Sequence, residues 1–344
     1  SATENKGQIW LEAGKKYDIR VDFYENSGKA VAKLLWESPS QPKEIVPMTQ
    51  LYPATFLEGA EIAILTSVES PVSPVWVEGK CSEDVASLTF TVNGGDAQDA
   101  VRENPKQWYV NTATSQGLPY GIPLNPQNPT ELSVTATDGG TATQTKDYSL
   151  TWTPTKLNDK SWSTDEIVIR VNDSLLLTVE DTDPGTGKGN KNGIVKIDCD
   201  GDGTVDYHGA PDIKTPWKYT SPGHYTVTAW LRGKECGTMT VTVVAVDLDG
   251  PIACQVGFQR EKGVDISPVS AAGAVSFTSV DGSYLGVSVK ELTSYGARLY
   301  LTAVQRGTPV LQARIASSGA LIRTQEVDEF TLECPTNEVV ALDR

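Results

Sequence analysis

The sequence predicts an all-β chain built as a series of β-sandwich modules, and three observations carry that prediction. Thirty Gly and twenty Pro in 344 residues supply turns at short intervals. Between the turns, short runs alternate apolar and polar residues, as in Leu88-Thr89-Phe90-Thr91-Val92 and Tyr225-Thr226-Val227-Thr228-Ala229. That is the period of a strand with one buried face, and few segments carry the helical period. A chain of 344 residues also exceeds one ordinary domain, so several cores in series are expected.

Residues 1–53 contain the strictest alternation, Tyr17-Asp18-Ile19-Arg20-Val21-Asp22-Phe23-Tyr24. Glu25-Asn26-Ser27-Gly28 supplies a turn, after which Ala32, Leu34 and Trp36 return on alternate positions and complete a hairpin. The Ala13-Gly14-Lys15, Tyr24-Glu25-Asn26, Leu35-Trp36 and Ser38-Pro39-Ser40 elements of residues 9–53 resemble the closing strands of the protective-antigen-type domain. That family is a β-sandwich module of bacterial toxins, secreted glycosidases and adhesins. The strands that precede this segment in the family have no counterpart here, nor has the paired-Asp calcium site of its sugar-binding members, so no glycan site transfers to any residue. A partial sandwich leaves sheet edges open. Either the chain is cut from a longer polypeptide, or a neighbouring chain completes the sheet by strand addition.

Residues 54–156 supply strands at Ile62 to Leu65, Val75 to Gly79, Leu88 to Val92, Trp108 to Val110, Leu132 to Thr137 and Tyr148 to Trp152, with Asn93-Gly94-Gly95 as a turn. Ser73-Pro74-Val75-Trp76-Val77-Glu78-Gly79 followed by Thr89-Phe90-Thr91-Val92-Asn93-Gly94-Gly95 resembles the bacterial immunoglobulin-like repeats of long surface proteins. Residues 157–250 carry Val168 to Val179, Val195 to Tyr207 and Tyr219 to Trp230. An Asp/Gly hairpin followed by Tyr219-Thr220-Ser221-Pro222-Gly223-His224-Tyr225-Thr226-Val227-Thr228 resembles the PKD (polycystic kidney disease) domain, an Ig-like module of extracellular stalks. The family's Trp-Asp-Phe-Gly-Asp-Gly core reads here as Ile197-Asp198-Cys199-Asp200-Gly201-Asp202-Gly203, with Cys199 at an aromatic position. Residues 251–344 alternate at Val275 to Thr278, Tyr284 to Val289, Arg298 to Val304, Val310 to Ile315 and Phe330 to Leu332. A fourth sandwich of no recognised family is expected there. The resemblances together imply tandem Ig-like β-sandwich modules in an elongated rod, extracellular or at a bacterial cell surface.

Composition excludes several functions. Forty-four Asp and Glu against 29 Lys and Arg give a net charge of −15, the wrong sign for gripping phosphate backbones. Nucleic acid is not an expected partner, and no apolar stretch is long enough to predict membrane insertion. Only two histidines, His208 and His224, are available for acid/base or metal chemistry. No G-x-S-x-G, phosphate loop or dinucleotide fingerprint is present. The expected chain has no catalytic residue and is not an enzyme.

Asp198, Asp200, Asp202 and Asp206, with Gly203 between them, follow the D-x-D-x-D-G-x-x-D spacing of a calcium loop. Gly209 stands where the bidentate Glu of a complete loop belongs, so the segment either holds a weak structural calcium ion or forms a solvated hairpin tip. Asp247 and Asp249, with Glu180, Asp181 and Asp183, pose the same choice at a module junction. Cys254 with Cys334, and Cys199 with Cys236, are placed early and late in their modules and are the disulfide candidates, each against the alternative of a buried thiol. Eight tryptophans are about two per module, the number sandwich cores use, with Trp108, Trp162 and Trp217 the candidates for exposure in loop-like contexts. The expected function is a stalk, fibre or surface-layer segment, self-assembling by strand completion with other copies or neighbouring modules. The alternative is a glycan-binding adhesin or the non-catalytic accessory region of a secreted glycoside-degrading enzyme.

Overall fold

The computed structural model describes residues 6–7, 33–38, 41–46, 62–83, 85–104, 106–110, 121–137, 143–158, 161–181, 194–248, 252–280, 282 and 284–330. The chain is all-β, a tandem of Ig-like β-sandwich modules, and its one described helix is the 3-10 segment Val269–Ala274. Of the N-terminal segment, the described strands are Leu35–Ser38 and Gln41–Ile45, an antiparallel hairpin that sets Trp36 opposite Glu44. The expected strand at Tyr17 to Tyr24 lies outside the described residues.

The first sandwich packs the sheet Ile62–Ile64, Glu78–Cys81, Gln107–Tyr109, Val101–Asn104 on the sheet Glu69–Ser70, Thr143–Trp152, Thr130–Thr137, Ser87–Val92, Gln98–Asp99. Alternation does the work that the sequence promised. Leu88 and Phe90 on one strand, and Leu132, Val134 and Ala136 on its neighbour, all point into one core with Ile62, Trp108 and Leu150. Removing each Leu, Val, Ile or Phe of this set from water contributes roughly 1.5–3 kcal/mol, which fixes the register because a one-residue slip would turn the whole set outward.

The second sandwich faces Ser161–Trp162, Thr155–Asn158, Ser174–Glu180, Thr215–Lys218 against Tyr207–Gly209, Val195–Asp198, Gly223–Leu231, Lys234–Asp247, with Glu166–Arg170 running parallel to Lys234–Asp247. The apolar run Val168 to Val179 is two strands, broken at residues 171–173, where Asn172 takes a positive φ of 72°. The third sandwich stacks Gln259–Ser267, Gly296–Ala303, Leu285–Leu292 on Ile252–Gln255, Leu321–Phe330, Val310–Ile315, Val275–Ser279.

The sandwiches are not merely strung together. Strand Lys234–Asp247 is 14 residues long: its first part pairs with Gly223–Leu231, and Ala245 to Asp247 pair with Ser267 to Asp265 of the third sandwich. One eight-stranded sheet therefore runs through both. From the first sandwich, Val72–Ser73 pairs with Ser174 and Leu175 of the second, and Leu176 enters the first core. The first and third also touch, through a cluster of Trp76, Tyr109 and Leu321.

Candidate functional site

The acidic hairpin lies between strands Val195–Asp198 and Tyr207–Gly209, which pair as Ile197 with Tyr207. Pairing at its base forces a tight loop, and Gly201 and Gly203 take φ of 77° and 86°, the left-handed region that favours glycine. Asp198 is buried, and its carboxylate accepts the backbone N–H groups of Asp200 at 3.3 Å, Gly201 at 2.6 Å and Gly203 at 3.0 Å. Asp200 accepts the N–H of Asp202 at 3.2 Å, and Asp202 that of Thr204 at 2.6 Å. Asp206 reaches back to the N–H of Cys199 at 2.7 Å. The loop thus spreads its negative charge over backbone dipoles, as turn aspartates do.

Three of the four predicted carboxylates converge. Asp198, Asp200 and Asp206 each present an oxygen, and these atoms lie within 4.8 Å of one another. Oxygen-only ligands around one point suit a hard cation such as calcium. Asp202 is not in that group and faces its own turn. Burial pushes the Asp200 carboxyl above its ordinary range, and the neighbouring carboxylates of Asp202, Asp206 and Asp198 push the same way against the bond from the Asp202 N–H.

Beneath the loop, Cys199 is buried with its thiol pushed up, first by burial and then by Asp206, Asp198 and Asp200. The hydroxyl of Tyr219 donates to the Cys199 carbonyl at 2.8 Å and is raised by its own burial. Cys199 is a free thiol, so the expected Cys199–Cys236 disulfide is not formed. Both pack on the second core, but Cys199 is buried under the hairpin, while the half-buried Cys236 donates its Sγ–H to the Lys234 carbonyl at 3.4 Å near the start of its strand. Cys254 is buried in the third core, and Cys334, its expected partner, lies outside the described residues.

Two of the junction acids have cationic partners. Glu180 pairs with Lys156 at 2.7 Å, and Asp181 pairs with Arg232. Asp183 and Asp249 lie outside the described residues. Two of the three tryptophans expected at the surface are core residues: Trp108 donates its indole N–H to the Lys80 carbonyl at 3.1 Å inside the first sandwich, and Trp162 is buried in the second. Their strands, Gln107–Tyr109 and Ser161–Trp162, are short enough to pass for loops in the sequence. Trp217 is half-buried, and Trp36 is exposed with its indole N–H donated to Glu44 at 3.1 Å.

Sequence reasoning missed a second polar constellation. Arg170, at the end of strand Glu166–Arg170, is buried and ion-paired at 2.9 Å with Asp173, also buried. Burial pushes the Asp173 carboxyl up, while the Arg170 charge and hydrogen bonds pull it down. The Asn172-Asp173 turn pair was the available signal, since Asn tolerates positive φ and Asp bonds backbone nearby.

No family model matches the chain. A stretch of 54 residues is 59% identical to the anti-sigma-I factor RsgI3 of Acetivibrio thermocellus and covers 16% of this chain. The match spans only 8% of that protein's length. Among solved structures, three N-terminal domains of the bacteriophage RB49 outer capsid protein Hoc align over 80% of this chain and 100% of theirs, at 10% identity and TM-score 0.30. Invasin, a bacterial integrin-binding protein, aligns over 80% of this chain and 60% of its own at 15% identity and TM-score 0.22. Domains 1–6 of the surface-layer protein SbsC align over 79% and 55% at 11% identity and TM-score 0.22.

Proposed function

We propose that the chain is a structural segment of an extracellular or cell-surface bacterial protein, a stalk, fibre or surface-layer piece of set geometry. The observation that carries this reading is strand Lys234–Asp247, which continues one sheet from the second sandwich into the third without a flexible linker. The reading is non-catalytic, and the position of His224 supports it. His224 lies between the hydroxyls of Thr242 at 2.9 Å and Ser270 at 2.5 Å, joining the second sandwich to the third. Completion of the N-terminal sandwich by a neighbouring copy is the proposed route to assembly, and a structural calcium at Asp198, Asp200 and Asp206 the proposed cofactor. Sedimentation and negative-stain microscopy test the reading: particles of one constant shape, or filaments built from them, support it, and a flexible string of beads overturns it.

A second reading, glycan binding, is favoured by the exposed Trp36, whose indole is oriented by Glu44. An aromatic face beside a carboxylate suits a sugar ring. Binding on a glycan array that disappears in Trp36→Ala would establish it, and an array with no signal would leave the structural reading alone.

A further inference from the structure

We propose that the three described sandwiches form one rigid body, locked at a three-way joint whose centre is Arg170. The inference goes beyond the structural role proposed above and rests on internal contacts, not on where the chain is displayed.

Hydrogen bonds of the Arg170 side chain reach all three sandwiches. Nε donates to both Asp173 oxygens, at 3.2 and 3.0 Å, and Nη2 to Asp173 Oδ1 at 2.9 Å. The charge is therefore neutralised within the second sandwich. The guanidinium then donates outward through Nη2 to the Pro74 carbonyl of the first sandwich and through Nη1 to the Leu321 carbonyl of the third, each at 3.0 Å. A guanidinium carries five N–H donors in a rigid plane, and a buried donor left without an acceptor is expensive. Only an arrangement with both neighbours docked supplies carbonyls in that plane. Arg170 thus reads the positions of two other sandwiches at once.

A second set of contacts closes the joint from outside. Trp76 and Tyr109 of the first sandwich stack with ring centroids 4.8 Å apart and pack on Leu321 of the third. Arg314 of the third sandwich lies over the Trp76 ring, 5.2 Å from its centroid, and donates to Glu78 Oε2 at 2.9 Å. The same oxygen accepts the Trp76 indole N–H at 3.0 Å. Arg314 is held in line by Gln312, at 3.1 and 2.8 Å, and by the Gly319 carbonyl at 3.0 Å. Three bodies joined only in series keep two hinges. Here first meets second through Val72–Ser73, second meets third through Lys234–Asp247, and third meets first at Trp76 and Arg314. The closed triangle removes both hinges.

Small-angle scattering and calorimetry on the full chain test the lock. The expected wild-type result is scattering from the three sandwiches that one fixed arrangement fits, with a single shared unfolding transition. The variant Glu78→Gln/Arg314→Met removes the outer ion pair, together with the Arg314 bonds to Gln312 and Gly319 inside the third sandwich, and leaves Arg170 in place. It is expected to broaden the pair-distance distribution and raise the radius of gyration, with far-ultraviolet circular dichroism unchanged. Arg170→Met is expected to split the calorimetric transition, and the outer variant keeps the test decisive if Arg170→Met does not fold. A wild-type profile that requires several inter-sandwich arrangements overturns the proposal. So does an outer variant whose profile superimposes on the wild type.

Discussion

Gly79 lies directly under the indole of Trp108: a Cβ placed on Gly79 would stand 2.2 Å from Trp108 Cζ2 and 2.3 Å from the Ala63 carbonyl oxygen. The two residues are neighbours across paired strands, so the missing side chain of one is the seat of the other. Gly79→Ala has no flexible atom to displace on the backbone side, and overpacking of this kind costs roughly 1–3 kcal/mol or more. Trp108→Ala empties the same seat and is expected to cost about 3–5 kcal/mol. Urea unfolding followed by tryptophan fluorescence measures the first; circular dichroism, which does not need Trp108, measures the second.

Asp173→Ala leaves the Arg170 charge buried without its counterion. Breaking one side of a buried pair costs about 3–5 kcal/mol, whereas replacing both sides by apolar groups is often close to neutral. The expected order of denaturation midpoints is therefore wild type above Asp173→Ala, with Arg170→Met/Asp173→Leu recovering part of the loss. Recovery stays incomplete because the double variant still lacks the donors to Pro74 and Leu321.

The acidic hairpin separates into a turn and a cation site. Asp198→Ala removes the acceptor of three backbone N–H groups and is expected to cost roughly 1–3 kcal/mol with or without an ion. Asp206→Asn retains an oxygen for the Cys199 N–H but removes a charge from the trio. If calcium binds at ~10⁻³ M, ~10 mM of it stabilises the wild type by ~1.4 kcal/mol, and Asp206→Asn loses most of that gain. Melting curves in calcium and in chelator decide the matter: identical curves for the wild type would make the hairpin a solvated turn.

Cys199 is expected to be chemically silent in the folded chain. A thiol that burial and three nearby carboxylates hold in its protonated form is a poor nucleophile. Iodoacetamide at pH 8 should leave the Cys199 peptide unmodified in native buffer and label it fully in urea, as read by mass spectrometry. Native labelling at the denatured rate would contradict the burial described.

On the third sandwich, Glu261 is held below its ordinary carboxylate range, chiefly by its hydrogen bond to Lys290 and further by the Lys290 and Arg298 charges. A depressed carboxylate contributes its stability above the unfolded Glu value and loses it as pH falls through the lowered one. Both groups are exposed, so the contribution is screened and small. A carbon-detected NMR titration should place the Glu261 midpoint below the ordinary range and return it there in Lys290→Met.

Most strands were legible because alternation and burial coincide. Leu132, Val134 and Ala136 alternate in the sequence and are the inward positions of Thr130–Thr137. The acidic hairpin was legible because its ligand-type residues are neighbours in the chain. The joint was not. The Arg170 and Leu321 partners stand 151 residues apart, and no local pattern encodes a contact at that distance. Trp108 was misplaced for a related reason: a three-residue strand gives alternation too little length to show, so its pairing with Glu78–Cys81 decided its burial.

The shared strand also determines what can be separated from what. Val244, Val246 and Leu248 precede the expected boundary at residue 250, yet they belong to the core of the third sandwich. A fragment beginning at residue 251 would lack those three side chains, and Ser267 to Asp265 would lose their pairing partners. A fragment beginning at Lys234 would instead strip the second sandwich of its longest strand. Neither half is a self-sufficient inheritance. The second and third sandwiches are therefore expected to travel as a pair, and the smallest piece expected to survive excision contains both.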